Sequence, residues 1–417
     1  MTHPLRPPSR GSYADARSDG RSFRKLLFGQ SVSGFGVQLS VVAIPTFAIE
    51  YLNATASQVS ILNMANWAPP LLLGLVAGHV ADRLDRLGTM IAADVFSAAA
   101  TIWLAYLIWS RDVSMTQLYV LVCVISVAGT FYLLGSQALV PRLLHGDARV
   151  KGNSHLEAAA AVSETLGQVV AARLIGIAAG ALVVFLDGLT YLLRAFFILG
   201  IKRKGRRDGD GRLLPDQTGE YSGQSTWRIL IERPEIVKLI CAQGNINIGG
   251  AFILGFFYLY AYRELNLEPW HIALTLAVGN IFSFICAVIL PRFAHSENLG
   301  FIGVFALFVA AVSIWLIFLA QWTNPFITLL VYQCFFSVAT TAFSIVAATR
   351  RQHLTPIDYQ GRIASFTVLF GYACLLAGGG LAAAAAPVLD LPVGIAVGCL
   401  LSSATIGWFV VPRVIGR

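Results

Sequence analysis

Apolar stretches of about 20 residues alternate with short polar turns along most of the chain. Because a helix needs about 20 apolar residues to cross the hydrocarbon core of a bilayer, each stretch predicts one membrane-spanning helix. The interval from Asn153 to Gly200 is too long for one crossing, and Gly176 to Gly180 supply a turn within it. The predicted spans are 29–52, 58–79, 89–110, 116–139, 154–176, 180–201, 236–262, 271–293, 299–320, 326–349, 362–386 and 390–412.

A single long hydrophilic interval, residues 202–233, separates the first six spans from the last six. Its Gly, Asp, Lys and Arg content is typical of a flexible linker, and Trp227 to Glu232 predict a short amphipathic helix at its end. The polar N-terminal residues lack an apolar core, which predicts a disordered tail and not a signal peptide. We therefore divide the chain into a tail (1–23), a first six-helix bundle (24–201), the linker (202–233) and a second six-helix bundle (234–417).

Composition and charge support a membrane protein and set its orientation. Charged residues make up 12% of the chain and apolar residues 56%, with a mean hydropathy of +0.69; soluble domains carry about 25% charged residues. If the N-terminus is cytoplasmic, 26 of the 30 Lys and Arg residues fall on the cytoplasmic side, as positive-inside topology requires. The net charge of +8 therefore predicts a bilayer and no nucleic acid as partner, with both termini cytoplasmic.

The loop after the second span reads GHVADRLDRLGTM, from Gly78 to Met90. It resembles the signature of the major facilitator superfamily, in which a Gly, three residues, Asp-Arg and a further Arg follow the second helix. Gly78, Asp82, Arg83 and Arg86 occupy those positions. The resemblance implies the major facilitator fold and a latch that joins the cytoplasmic ends of the two halves in one state. An ordinary charged turn is the alternative.

Other segments resemble the branch of that superfamily that exports drugs and siderophores, including macrolide-efflux and enterobactin-exporter proteins. They are FRKLLFGQSVSGFGVQLSVVAIP, GSQALVPRLL, FLDGLTYLLRAFF and the pattern Thr349-xx-Gln352-xxx-Pro356-xxxx-Gly361-Arg362. The resemblance implies proton-driven export of an amphipathic small molecule across a bacterial inner membrane, and we expect a monomer. The chain departs from this branch at Val37, which follows Gly36 where an Asp is common, and in the helix-five antiporter signature.

Ionisable residues inside predicted spans are costly to bury, so each needs a reason. They are Asp94, Glu157, Glu164, Arg173, Asp187 and Arg194. In antiparallel spans five and six, Glu164 lies at nearly the depth of Arg194, and Arg173 at nearly that of Asp187. Two interhelical ion pairs could then simply join the helices. Alternatively Glu164, or less favourably Glu157, exchanges a proton in competition with substrate or with its Arg partner.

Asp94 lies about five residues from the cytoplasmic end of its span, so we predict a structural partner for it among Arg83, Arg86 and Arg142. The substrate path should carry polar and aromatic groups that face the bundle axis. Interhelical hydrogen bonding is the alternative role for each of them. The candidates are Gln38, Asn63, Asn66, Trp67, Asn245, Asn280 and Gln333.

Three functions remain open from the sequence: an exporter, an importer or symporter on the same fold, and a transport-inactive membrane receptor. An enzyme is disfavoured, because the sequence has no HExxH, GxSxG or Walker-type motif. The cysteines lie in apolar stretches without paired spacing, so neither a metal site nor a cofactor is predicted.

Overall fold

A computed structural model describes residues 10–80, 86–144, 147–175, 180–201, 226–292, 299–356 and 359–407. The regular elements within these ranges are helices. They are α1 (Arg10–Tyr51), α2 (Ala56–Val80), α3 (Arg86–Ser110), α4 (Met115–Leu143), α5 (Asp147–Ile175), α6 (Gly180–Leu199), α7 (Thr226–Glu232), α8 (Pro234–Leu259), α9 (Pro269–Ile289), α10 (Leu299–Ser313), α11 (Trp315–Leu319), α12 (Pro325–Leu354), α13 (Gln360–Ala385) and α14 (Leu391–Ser403).

The prediction of an all-α membrane fold is confirmed. Over its described residues every predicted span coincides with a helix, the ninth being formed by α10 and α11 together. Within the described residues, nine helices are long and apolar enough to cross a bilayer, and a shorter apolar helix covers Leu391–Ile406. In chain order, the short helix α7 falls between the first and second sets of long helices, at the position of the predicted amphipathic segment.

Local sequence signals explain where several helices begin. Ser114 and Gln117 form a reciprocal capping box at the start of α4, in which the Gln117 side-chain oxygen accepts from the Ser114 amide at 2.7 Å. Asn324 caps α12 by accepting from the Ile327 amide at 3.1 Å. Pro325, the first residue of α12, loses no hydrogen bond there, since its missing N–H would have no helical partner.

Helix α1 begins earlier than expected. We predicted a disordered tail over 1–23, but the structure continues α1 back to Arg10, giving a helix of 42 residues. Residues 1–9 lie outside the described residues, so the prediction for them stays open. Once an apolar span has nucleated a helix, each added residue gains a backbone hydrogen bond without a further nucleation cost, so a polar extension can remain helical. We call the bundle end with the start of α1 and the end of α6 the tail side, and the opposite end the far side.

Packing divides the long helices into two groups that meet along a limited surface. In the first half α1 packs against both α5 and α6, and α3 packs against α4 and α6. In the second half α8 packs against α13 and α14, and α12 packs against α9 and α10. The halves touch mainly where α2 meets α13 and where α5 meets α9. Asp94 of α3 and Asp187 and Arg194 of α6 are buried between these helices, inside the first half.

Candidate functional site

A buried ion pair joins α3 to α6. The Arg194 guanidinium donates to Asp94 Oδ1 from Nε at 2.8 Å and from Nη2 at 2.5 Å. Asp94 is fully buried and Arg194 is 8% exposed. The guanidinium also lies 3.5 Å from the centre of the Tyr132 ring and 5.2 Å from that of Tyr191, so aromatic faces and a carboxylate replace the water that the charge has lost.

This pair corrects the partner predicted for Asp94. We expected Arg83, Arg86 or Arg142, whose side chains lie outside the described residues, whereas the structure gives Arg194 on α6. The expectation followed from the depth of Asp94 near the loop arginines. Depth along a helix leaves its rotation undetermined, and α3 turns Asp94 toward α6.

Asp187, also on α6, is held against α1. Its Oδ2 accepts from the Ser40 hydroxyl at 2.5 Å, and the residue is 3% exposed. Gly36 allows this approach, because a Cβ there would lie 2.8 Å from Asp187 Oδ1 and closer still to the Thr190 hydroxyl. The predicted Arg173–Asp187 pair is wrong: Arg173 is exposed near the end of α5, and α1 packs between α5 and α6.

A large cavity, which we call the central cavity, lies toward the tail side of the first half and has a volume of about 750 Å³. Helices α1, α4, α5 and α6 form its wall. Glu164 and Arg194 supply its charged groups, and Gln30, Gln38 and Ser136 are among its polar ones. Leu27, Val37, Leu133, Val140 and Leu156 line it with apolar surface. Glu164 and Arg194, predicted at similar depth, therefore do face one space.

A second, smaller cavity of about 140 Å³ lies deeper in the first half. We call it the chamber. Its polar lining includes Ser40, Asn63, Thr101 and Asp187, contributed by α1, α2, α3 and α6. Val37 lines both the chamber and the central cavity, so the two spaces adjoin at that residue.

Hydrogen bonds connect the two halves away from the tail side. Gln168 of α5 donates to Gln38 of α1 at 3.1 Å and accepts from Asn280 of α9 at 3.1 Å. Nearer the far side, the Thr46 and Tyr262 hydroxyls lie 2.7 Å apart. The same face of α5 therefore carries Glu164 in the central cavity and, one turn later, Gln168 at the contact between halves.

The remaining substrate-path candidates have different surroundings. Asn63 and Asn66 both line the chamber. The half-buried Trp67 lies beside Gly379 of α13, where the halves meet. Asn245 donates at 2.8 Å to the Leu401 carbonyl and to the Thr405 hydroxyl, and Gln333 donates at 3.1 Å to Ser337. Asn245 therefore joins helices of the second half, the alternative role considered for every candidate.

Part of the predicted latch lies outside the described residues. Gly78 falls within α2 and Arg86 begins α3, but Asp82 and Arg83 belong to the segment between them that the structure does not describe. The side chain of Glu157, on α5, is likewise outside the description. The latch and Glu157 stay predictions.

Sequence reasoning did not select Ser40, Thr101, Tyr132 or Gln168. Ser, Thr and Tyr are frequent in apolar helices, so their presence alone carried no signal. Gln168 had one, since it follows Glu164 by four residues and therefore shares its helix face.

The geometry can be compared with known proteins. The family model described as "Major Facilitator Superfamily" matches residues 26–379. The chain belongs to this superfamily. This major facilitator protein is therefore a multi-pass membrane transporter of a small molecule and not an enzyme, which confirms the family prediction at that level.

One curated relative is the "Uncharacterized MFS-type transporter YfiS" of Bacillus subtilis (strain 168), which is 34% identical over 110 residues. The match covers 26% of this chain and 25% of the relative, so only about a quarter of either protein is aligned. The shared quarter gives no substrate.

Solved transporters share the fold across nearly the whole chain. The nucleoside transporter NupG has a TM-score of 0.71 at 11% identity, covering 93% of this chain and 99% of its own. A bacterial homologue of the iron transporter ferroportin, in an inward-facing state, has a TM-score of 0.69 at 19% identity, covering 94% and 99%. A bacterial homologue of the human lysosomal transporter Spinster, also inward-facing, has a TM-score of 0.69 at 13% identity, covering 94% and 95%. At such low sequence identity these similarities establish the fold and nothing about the substrate.

Proposed function

We propose that this major facilitator protein exports an amphipathic small molecule in exchange for protons, by alternating access of a path between its halves. The observation that carries the proposal is the central cavity on the tail side, lined by apolar and polar groups around Glu164 and Arg194. Its volume of about 750 Å³ falls within the roughly 300–1,000 Å³ typical of sites for drug-sized ligands.

The position of the cavity is consistent with export, since an exporter takes its ligand from the cytoplasmic side in one of its states. The Lys and Arg distribution predicts that the tail side is cytoplasmic, and one hydrogen bond between Thr46 and Tyr262 joins the halves toward the opposite face. A cavity on the cytoplasmic side can take its ligand from the cytoplasm or from the inner leaflet. Two of the similar solved structures are described as inward-facing, which is consistent with this arrangement.

Glu164 is the carboxylate we propose for proton exchange. It is exposed on the cavity wall, one helical turn from Gln168, whose amide bonds to both Gln38 and Asn280. A change of charge at Glu164 alters the electrostatic environment of a residue that joins the two halves. Proton uptake and ligand release can therefore both act on the contact between α5 and α9.

The test uses the full-length protein in proteoliposomes loaded with a pH-sensitive dye, with ethidium as the probe ligand. We expect an imposed proton gradient to drive ethidium transport, with protons crossing the membrane in the direction opposite to ethidium. Glu164→Gln should reduce the stimulation of ethidium transport by the proton gradient by about tenfold or more. Ethidium should still bind the purified variant. The matched control is Glu232→Gln, whose side chain on α7 is 54% exposed.

Three results separate the alternatives. If Glu164→Gln transports with an unchanged gradient dependence, the proton assignment is wrong. An importer or symporter would accumulate its ligand on the side opposite to that expected for export. A receptor would bind the ligand and show no transport in either direction.

A further inference from the structure

The chamber has polar atoms that lack partners. Among the described residues, three that line the chamber each have one buried side-chain atom that makes no hydrogen bond: Asp187 Oδ1, Thr101 Oγ1 and Asn63 Nδ2. Thr101 is 1% exposed and Asp187 is 3% exposed. The Thr190 hydroxyl, which lies next to Asp187, donates instead to the Asp187 main-chain carbonyl at 2.7 Å. Since a buried polar atom without a partner is costly, three such atoms around one cavity indicate an occupant.

Charge limits what that occupant is. The Asp94 carboxylate and the Arg194 guanidinium neutralise each other through their two hydrogen bonds. When Asp187 is ionised, the described residues that line the chamber with it offer hydroxyl and amide groups but no cation. A water molecule would satisfy hydrogen bonds but leave this charge uncompensated. A cation would bind the oxygen atoms of the chamber and also compensate the charge.

The donor set suits one class of ion. Asp187, Thr101 and Ser40 contribute oxygen atoms to the chamber. A 180° rotation of the Asn63 side-chain amide exchanges its oxygen and nitrogen and so provides a fourth oxygen. Oxygen ligands are those that hard cations prefer. One carboxylate balances a single charge, while calcium sites generally use several carboxylates.

We propose that the chamber binds one sodium-sized monovalent cation, held by Asp187 Oδ1, Thr101 Oγ1 and the Asn63 amide oxygen between α2, α3 and α6. The volume of about 140 Å³ leaves room for a few water molecules as further ligands. The cation enters past Val37, where the chamber adjoins the central cavity. This site is separate from Glu164 and does not depend on the direction of transport.

The experiment measures binding of radioactive sodium to the purified full-length protein, and its thermal stabilisation when sodium chloride replaces choline chloride at constant ionic strength. We expect saturable binding, strongest at alkaline pH, where competition from protons is weakest. Asp187→Asn and Thr101→Val should each weaken the apparent sodium affinity by about tenfold or more.

The matched control is Thr130→Val, which removes a buried hydroxyl that donates to the Ser126 carbonyl at 2.8 Å on α4, outside the chamber. It should bind sodium as the unmodified protein does. Thr101→Val is nearly isosteric and decides the question if Asp187→Asn does not fold. Glu164→Gln should retain sodium binding, so failure of the proton assignment and failure of this site give different results.

Two outcomes overturn the proposal. The first is an absence of saturable sodium binding at alkaline pH, which would leave protonation of Asp187 as the means of charge compensation. The second is unchanged sodium affinity in both Asp187→Asn and Thr101→Val, which would locate the ion elsewhere.

Discussion

At the scale of single residues, the Asp94–Arg194 pair differs in kind from the ion pairs on the surface. Its carboxylate is fully buried and its guanidinium lies against Tyr132. The Arg228–Glu232 pair on α7 has side chains that are 64% and 54% exposed. Water screens the second pair and compensates either partner if the other is lost, whereas a partner removed from the first leaves a buried charge uncompensated.

We therefore expect Asp94→Asn to lower the free energy of unfolding by about 3–5 kcal/mol, because Arg194 would remain charged without a carboxylate. Glu232→Gln should change it by less than about 1 kcal/mol. Denaturant-induced unfolding in detergent, followed by tryptophan fluorescence, measures both. Equal effects in the two variants would contradict the assigned difference in burial.

The same residues mark how far sequence reasoning reaches. Asp187 and Arg194 stood out because charge in an apolar span is costly. Their pairings did not follow from the sequence, because Ser40 lies 147 positions from Asp187 and Asp94 lies 100 positions from Arg194. Rise per residue gives depth, but the angle at which each helix faces its neighbours comes only from packing.

At the scale of helices, the contact between halves combines apolar packing with a few hydrogen bonds. Thr46 of α1 and Tyr262, in the turn that follows α8, bond across the far side at 2.7 Å. Tyr260, two residues earlier, instead bonds to the Ile317 carbonyl at 3.3 Å, within the second half. The two tyrosines thus allow one interaction between halves to be compared with one inside a half.

Tyr262→Phe should favour separation of the halves on the far side, because it removes one inter-half hydrogen bond worth about 0.5–1.5 kcal/mol. Spin labels at the exposed positions Glu50 and Glu264 would report a several-fold larger population at long distance. Tyr260→Phe is the control and should leave that population unchanged. A shift of the same size in both variants would show general loosening and not the loss of a specific contact.

At the scale of the whole molecule, the cation distribution orients the bundle. The tail, the α2–α3 loop and the linker carry most of the Lys and Arg residues, whereas the far side has only Arg111 and Arg263 in the predicted topology. The function proposed from the central cavity depends on this orientation, since the same cavity on the outer face would take ligand from outside the cell.

Cysteine labelling tests this orientation of the bundle in the membrane. In a chain whose six native cysteines have been replaced, a cysteine at Asp112 should react with a membrane-impermeant maleimide in intact cells. A cysteine at Ser222, in the linker, should react only after permeabilisation, because positively charged loops stay cytoplasmic. The reverse pattern would invert the topology and make the proposed export an import.

The sequence by itself determined the helical class, the positions of the spans and the superfamily, since each depends on local composition or on a contiguous motif such as that from Gly78 to Arg86. Only the tertiary structure decided that α1 packs between α5 and α6, that Arg194 binds Asp94, and that Asp187 faces a chamber with Thr101 and Asn63. The physical reason is that every spanning helix is surrounded by the same apolar lipid. Hydropathy then specifies which segments cross the membrane, while close packing at residues such as Gly36 specifies which faces meet.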